Sequence, residues 1–193
     1  MSRHRARIED GIASDGPMKP RYRQPFPPMV GFALRFILLM SLYYALVLLP
    51  FFDRLLYSYL CANARITNGI LNVLGTDSHV FEATIRSARF VMNVRRGCDA
   101  IEPAWFFSAA VICFPGPWAA KVPGLLLGTI VILAFNLIRL VSLYIIGIRY
   151  PKVFAVAHLE IWPAGFILLA VLLFLGWIAW TRGSRRVEAH VAP

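Results

Sequence analysis

The sequence predicts an all-α, polytopic helical membrane protein, and three observations carry that reading. Of 193 residues, 59% are hydrophobic and only 16% are charged, whereas a soluble domain needs a more polar surface. Long apolar runs begin at Val30, Val122 and Leu159, each near the ~20 residues that cross a hydrocarbon core of ~30 Å. The basic residues behind the net charge of +10 crowd toward the two ends, as in cytoplasmic tails beside anionic lipid. In a soluble chain such a charge would suggest nucleic acid; here the expected partner is membrane lipid and no nucleic acid.

Taken in order, Met1 to Pro28 holds Arg3, Arg5, Arg7, Lys19, Arg21 and Arg23 among prolines and reads as a disordered cytoplasmic tail. Val30 to Leu49 is the first span, stopped by Pro50. It starts late and is long enough to cross, so no cleavable leader is expected. Arg54 to Leu74 differs. Ser58, Arg65, Asn68 and Asn72 recur at helical spacing as one polar stripe, with Leu56, Leu60, Ile66, Ile70 and Leu74 mostly off it. That predicts an amphipathic or re-entrant helix, on the membrane or lining a cavity, rather than a lipid-facing span.

Gly75 to Gly97 is a small extracytoplasmic segment whose short runs, Val80 to Ile85 and Phe90 to Val94, are expected to pair as a hairpin. Ala100 to Phe114 is the second span, and Pro115-Gly116-Pro117 stops it. Val122 to Gly147 is the third, with Pro123 in its first turn, where a missing N–H costs little. Ile148 to Ala157 reads as a loop. Leu159 to Trp180 is the fourth span, and Arg182, Arg185 and Arg186 follow as a basic stop. The expected division is therefore a tail over 1–28, a membrane body over 29–181 and a second cytoplasmic tail over 182–193. Two tails on one side demand an even number of spans, and four of them place Gly75 to Gly97 and the 148–157 loop outside.

The chemistry concentrates at Arg95-Arg96-Gly97-Cys98-Asp99-Ala100-Ile101-Glu102-Pro103. A cysteine beside cations at a helix N-terminus favours its thiolate, the form that acts as a nucleophile. Cys61 and Cys113 lie inside apolar segments and read as structural thiols. An arginine within an apolar span costs about 2.5 kcal/mol or more and normally marks function; Arg139 lies about two turns below the outer end of its helix. His158 opens the last span at the same surface. Each also has a plainer explanation: packing for the cysteine, snorkelling for Arg139, an ordinary interfacial position for His158 near Trp162. Asn136 shares a face with Arg139 and either holds the guanidinium or binds substrate backbone. Glu102 either favours its helix start or pairs with Arg96. Trp105, Trp118, Tyr150, Trp162 and Trp180 read as an interfacial belt.

Gly97-Cys98 opening one helix, Pro123 and Asn136-Leu137-Ile138-Arg139 in the next, then Ala157-His158 with Gly165 and a long apolar finish, resemble the exosortase/archaeosortase family. The resemblance covers roughly Arg95 to Trp180. Many members carry Cys-Ser-Gly where this chain has Cys98-Asp99-Ala100, and many have more spans; the short chain and its Glu102 are similar to a compact subfamily, exosortase H. The family implies a membrane cysteine transpeptidase that processes C-terminal sorting tails of exported proteins at the outer face of the cytoplasmic membrane. It implies Cys98 as nucleophile, His158 as general acid and base, and Arg139 as stabiliser of the oxyanion or of the thiolate, with no metal or cofactor. The thioacyl enzyme would be resolved by an amine, a hydroxyl or water. The rival expectation is a non-catalytic assembly or lipid-binding subunit in which these residues are structural.

Overall fold

Proline sets several of the helix boundaries. The computed structural model describes residues 28–191, with side chains from Met29 to Gly183; the expected amino-terminal tail thus lies outside the described residues, save its last position. Helix α1 is Pro28–Val47, α2 Pro50–Val73, α3 Ile101–Cys113, α4 Trp118–Arg149, α5 Pro151–Val156 and α6 Trp162–Val191. A π-helical turn, Ala157–Ile161, joins α5 to α6, and strands β1 (His79–Phe81), β2 (Thr84–Arg86) and β3 (Val91–Asn93) lie between α2 and α3. Leu49 and Tyr150 leave the helical region (ψ 132° and 62°) because each precedes a proline, whose ring disfavours helical backbone in its predecessor.

The chain is largely helical, with three helices long and apolar enough to cross a membrane: Met29–Val47, Trp118–Arg149 and Pro151–Gly183. Side-chain contacts fix their order. Tyr44 near the end of α1 donates to Glu102 at the start of α3 (2.6 Å). At the other end of α3, Lys121 of α4 donates to the Ile112 carbonyl (2.7 Å). Trp177 in α6 donates to the Ala120 carbonyl near the start of α4 (2.9 Å). Hence α1, α3, α4 and α6 run antiparallel to their neighbours, and residues 97–102 sit at the end of the bundle opposite Lys121 and Trp177.

Several expectations are corrected. The all-α assignment misses a three-stranded antiparallel sheet in the order β1-β2-β3. The two expected runs do pair, with Ile85 opposite Met92, but the run Val80 to Ile85 is also a hairpin in itself, turning at Glu82 with φ 54°, a position where glycine is usual. Helix α2 starts at Pro50, not Arg54, because proline suits a first helical position. Helix α3, within the second expected span, has 13 residues, about 20 Å at 1.5 Å per residue, so a crossing of a ~30 Å core there takes its flanking residues as well. Helix α4 begins at Trp118, so Pro123 falls beyond its first turn, inside the helix. Residues 151–157 are helical rather than loop. Helical backbone continues to Val191, past the expected stop at Arg182.

Two clusters of buried side chains hold the elements together. One joins α2 (Leu56, Leu60, Leu71), the sheet (Ile85, Met92) and the site end of α4 (Leu140, Leu143, Tyr144). On α2, Leu56 and Leu60 turn inward as the polar stripe requires, but Ile66, Ile70 and Leu74 are exposed and Asn63 and Thr67 are buried. The other cluster, Phe107, Ile132, Phe166 and Trp177, fills the space between α3, α4 and α6. Inside a bilayer such contacts gain little from water exclusion, so close backbone approach over small residues matters more. Gly128 provides it: a Cβ there would lie 2.2 Å from the Phe107 ring, which is 2% exposed. Gly128→Ala is expected to destabilise the bundle by about 1–3 kcal/mol, as overpacking does, while Gly31→Ala, with nothing within 4 Å among the described residues, does not destabilise it and gains up to about 1 kcal/mol of helix propensity. Thermal unfolding in detergent measures both; equal melting temperatures would remove the Gly128–Phe107 contact as a determinant.

Candidate functional site

Arg95 to Cys98 make a tight turn in which the Cys98 N–H donates to the Arg95 carbonyl (2.9 Å) and Gly97 takes φ 84°. Only glycine adopts that conformation without steric cost. The chain then reaches Ala100, also left-handed at φ 58°, before α3 begins. Asp99 Oδ1 accepts from the Ile101 N–H (3.0 Å), satisfying one of the unpaired donors at the helix start.

Three consecutive carbonyls of this segment are each held from outside. Arg139 Nη1 donates to the Gly97 carbonyl (3.1 Å) and Asn136 Nδ2 to the Cys98 carbonyl (3.1 Å). Tyr59 Oη, from α2, donates to the Asp99 carbonyl (3.0 Å). Asn136 and Arg139 lie three residues apart on α4, so they share one face; they are 0% and 5% exposed. The Arg139 guanidinium also stacks over Phe166, 5.6 Å from the ring centre. It points into the protein rather than toward headgroups.

His158 enters from the other side. Its Nε2 lies 3.9 Å from Cys98 Sγ, and its ring stacks on Phe154 at 5.8 Å and 6°. It sits on the π-helical turn, a distortion often found at functional sites. Its Nδ1 is buried without a partner among the described residues, as are Arg139 Nε and Asn136 Oδ1. The structure therefore places Cys98, Arg139 and His158 around one point, with Asn136 beside them.

Two electrostatic expectations are corrected. Cys98 precedes the helix by three residues instead of starting it, so the α3 N-terminus does not act on the thiol directly. Burial, the largest influence, pushes the Cys98 thiol above its ordinary value; the Arg139 cation is the main opposing force and the neighbouring Arg95 contributes less. Arg96 is engaged elsewhere, in an ion pair with Asp53, which leaves Glu102 to accept from Tyr44. Asp99 itself is buried, and burial raises its carboxyl above the usual range against the backbone N–H groups that favour its charge.

Sequence reasoning gave no role to Tyr59, Asp99 or Phe154. Tyr59 lies just off the polar stripe of α2, and nothing in its local sequence marks a hydrogen bond 40 residues away. Asp99 was legible as a polar residue before a helix. Cys61 and Cys113 are buried free thiols. Among the described residues no group of three or more His, Cys, Asp or Glu side chains gathers where a metal ion could be held.

The Gly97–Asp99 segment separates two cavities. One of about 580 Å³ holds Cys98 and His158 in its wall with Arg95, Arg96, Phe154 and all three residues of β3. The other, about 590 Å³, is largely apolar, lined by Phe106, Pro163, Phe166, Ile167 and Val171, with Arg139 and Glu102 at its polar end. Comparison of the chain with protein families, curated proteins and solved structures gives no match.

Thiol chemistry gives two expected outcomes here. Because burial raises the Cys98 thiol, its alkylation by iodoacetamide should rise with pH through a midpoint above that of an ordinary cysteine. Arg139 favours the thiolate, so Arg139→Gln should move that midpoint higher and slow labelling at neutral pH; Arg139→Lys, which keeps the charge, should stay near wild type. A midpoint unmoved by Arg139→Gln would detach the guanidinium from the thiol. Separately, a left-handed non-glycine residue costs about 1–2 kcal/mol, so Ala100→Gly should raise thermal stability by up to about 1 kcal/mol once glycine's greater unfolded-state freedom is subtracted. A lowered melting temperature would contradict it.

Proposed function

We propose that this protein is a membrane cysteine peptidase or transpeptidase of the exosortase type, cleaving C-terminal tails of exported proteins through a thioacyl intermediate. The observation that carries the reading is the 3.9 Å approach of His158 Nε2 to Cys98 Sγ, from elements 60 residues apart, beside the buried Arg139. A general base must stand within reach of the proton it takes, and such distances tighten when substrate arrives. The left-handed Ala100 adds support, since it occupies the position where members of the resembled family commonly carry glycine.

The chemistry then runs as follows. His158 takes the Cys98 proton and the thiolate attacks the scissile carbonyl, forming a C–S bond and a tetrahedral oxyanion. The Arg139 guanidinium, which already bonds the Gly97 carbonyl through Nη1 and whose Nε has no partner among the described residues, supplies positive charge to thiolate and oxyanion. Collapse of the intermediate breaks the C–N bond while the His158 imidazolium protonates the leaving amine, giving a thioester. An acceptor amine, a hydroxyl or water next adds to that thioester with its proton passing to His158. Cys98 then leaves as thiolate.

We place the site at the outer face of the cytoplasmic membrane. The antiparallel order of α1, α3, α4 and α6 puts both described chain ends at the end of the bundle away from Cys98. With basic tails inside, the turn at 95–98 and the sheet fall outside, and α3 makes the fourth crossing together with its flanking residues.

One observation favours the non-catalytic reading. Asn136 and Arg139 both bond main-chain carbonyls, as purely structural residues would. The variants separate the two. Cys98→Ser should fold and bind tailed substrate yet leave it uncleaved, because a hydroxyl lacks the thiol's acidity. Arg139→Lys should be severely impaired, losing the planar fork, and His158→Ala should slow formation and resolution of the thioacyl enzyme. The measurement is uncleaved tailed protein in membranes on co-expression, with the abundance of each variant checked; wild-type processing by Cys98→Ser makes the site structural. For topology, a cysteine at Ser87 should react with an impermeant reagent from outside while one at Pro117 should not, and the reverse pattern inverts the protein.

A further inference from the structure

The candidate nucleophile does not stand alone in its cavity: the third strand of the sheet forms part of the same wall. Strand β3 is at the edge of the sheet. In its antiparallel pairing with β2, Met92 faces Ile85, flanked by the Val94 N–H to Ala83 carbonyl and Ser87 N–H to Phe90 carbonyl bonds. Ladder bonds alternate along a strand. The N–H and C=O groups of Phe90, Met92 and Val94 are therefore directed to β2, and those of Val91 and Asn93 are directed away from it. Among the described residues these four main-chain groups have no hydrogen-bond partner. Val91 and Asn93 are exposed, while Met92 between them is buried in the core. Beyond Asn93 the chain continues through Val94 and the 95–98 turn to Cys98.

An unpaired strand edge is a template for another extended chain, giving affinity through main-chain bonds and tolerance of side chain. Here the template opens beside a nucleophile for peptide bonds. We propose that β3 is the substrate-docking strand: an extended stretch of the substrate peptide adds to its free edge as a fourth strand and so delivers the scissile carbonyl to Cys98. The inference rests on the peptidase reading. It adds that recognition on this side of the cavity is made largely by Val91 and Asn93 backbone, so it depends on the peptide's N–H groups with a period of two.

The test uses acetyl-Ala-Val-Thr-Ala chloromethyl ketone and iodoacetamide on the full chain in detergent. With both reagents the Cys98 thiolate attacks the halogen-bearing carbon; a C–S bond forms and chloride or iodide leaves. Iodoacetamide reports the intrinsic thiol, and the ratio of the two rates reports peptide docking. Val91→Pro removes one free-edge N–H without touching the β2 ladder, and proline is tolerated at an edge of this kind. It should lower the ratio about tenfold, the scale of one hydrogen bond, with the iodoacetamide rate unchanged. Val91→Ala keeps the N–H and should keep the ratio. N-methylation of the probe should abolish the preference at one alternating set of residues and spare the other. A ratio unaffected by Val91→Pro, an equal loss in Val91→Ala, or N-methyl effects without alternation overturns the docking strand while leaving the peptidase reading intact. A wild-type Cys98 inert to iodoacetamide overturns both.

Discussion

The backbone of residues 97–99 is the point on which this structure depends. Three successive carbonyls are bonded by Arg139, Asn136 and Tyr59, side chains from two different helices. Without them the segment would be a short loop between a sheet and a helix, free to move its cysteine by ångströms. With them, α2, α4 and the start of α3 are joined through main chain, and the thiol is held by its own backbone rather than by side-chain packing. Polar groups in such an environment are costly unless bonded. Placing two of them one turn apart on α4 makes sense only if what they bond must stay in place.

The same arrangement assigns Arg139 two duties that a single-role reading would miss. One nitrogen is committed to the Gly97 carbonyl, yet the charge still offsets the burial that disfavours the Cys98 thiolate. Rigidity and electrostatics thus come from one side chain, and a substitution that keeps the charge need not keep the geometry. Tyr59 and Asn136 are neutral, so they hold the loop without adding a net charge beside the sulfur.

Composition and hydropathy made the helical membrane character legible, because a long apolar run has few alternatives. Arg139 and Asn136 were legible for the same reason: a polar residue in an apolar helix has to be explained. The boundaries were harder. The sheet was half visible, since Glu82 takes a left-handed turn position without the glycine or asparagine that usually signals one. The loop expected at 148–157 became helix because Pro151 breaks α4 and at the same time starts α5. Tyr59 was invisible, since its role exists only once α2 has docked beside the 97–99 segment. The engagement of Arg96 with Asp53 was equally hidden, as it depends on where α2 begins.

The π-helical turn at Ala157–Ile161 has a consequence for helical phase. His158 must face Cys98 while Phe166, eight residues on, must lie under the Arg139 guanidinium. In an uninterrupted α-helix, residues eight apart are rotated by about 80° from one another. A π turn winds through fewer degrees per residue, so it takes up much of that difference and brings both rings to the same side. The turn therefore acts as a one-residue phase corrector. Rewinding the same residues as regular α-helix would set the two rings about 80° apart and lose one contact, whereas deleting one residue between them would leave seven, about 20° from alignment, and keep both contacts without a π turn.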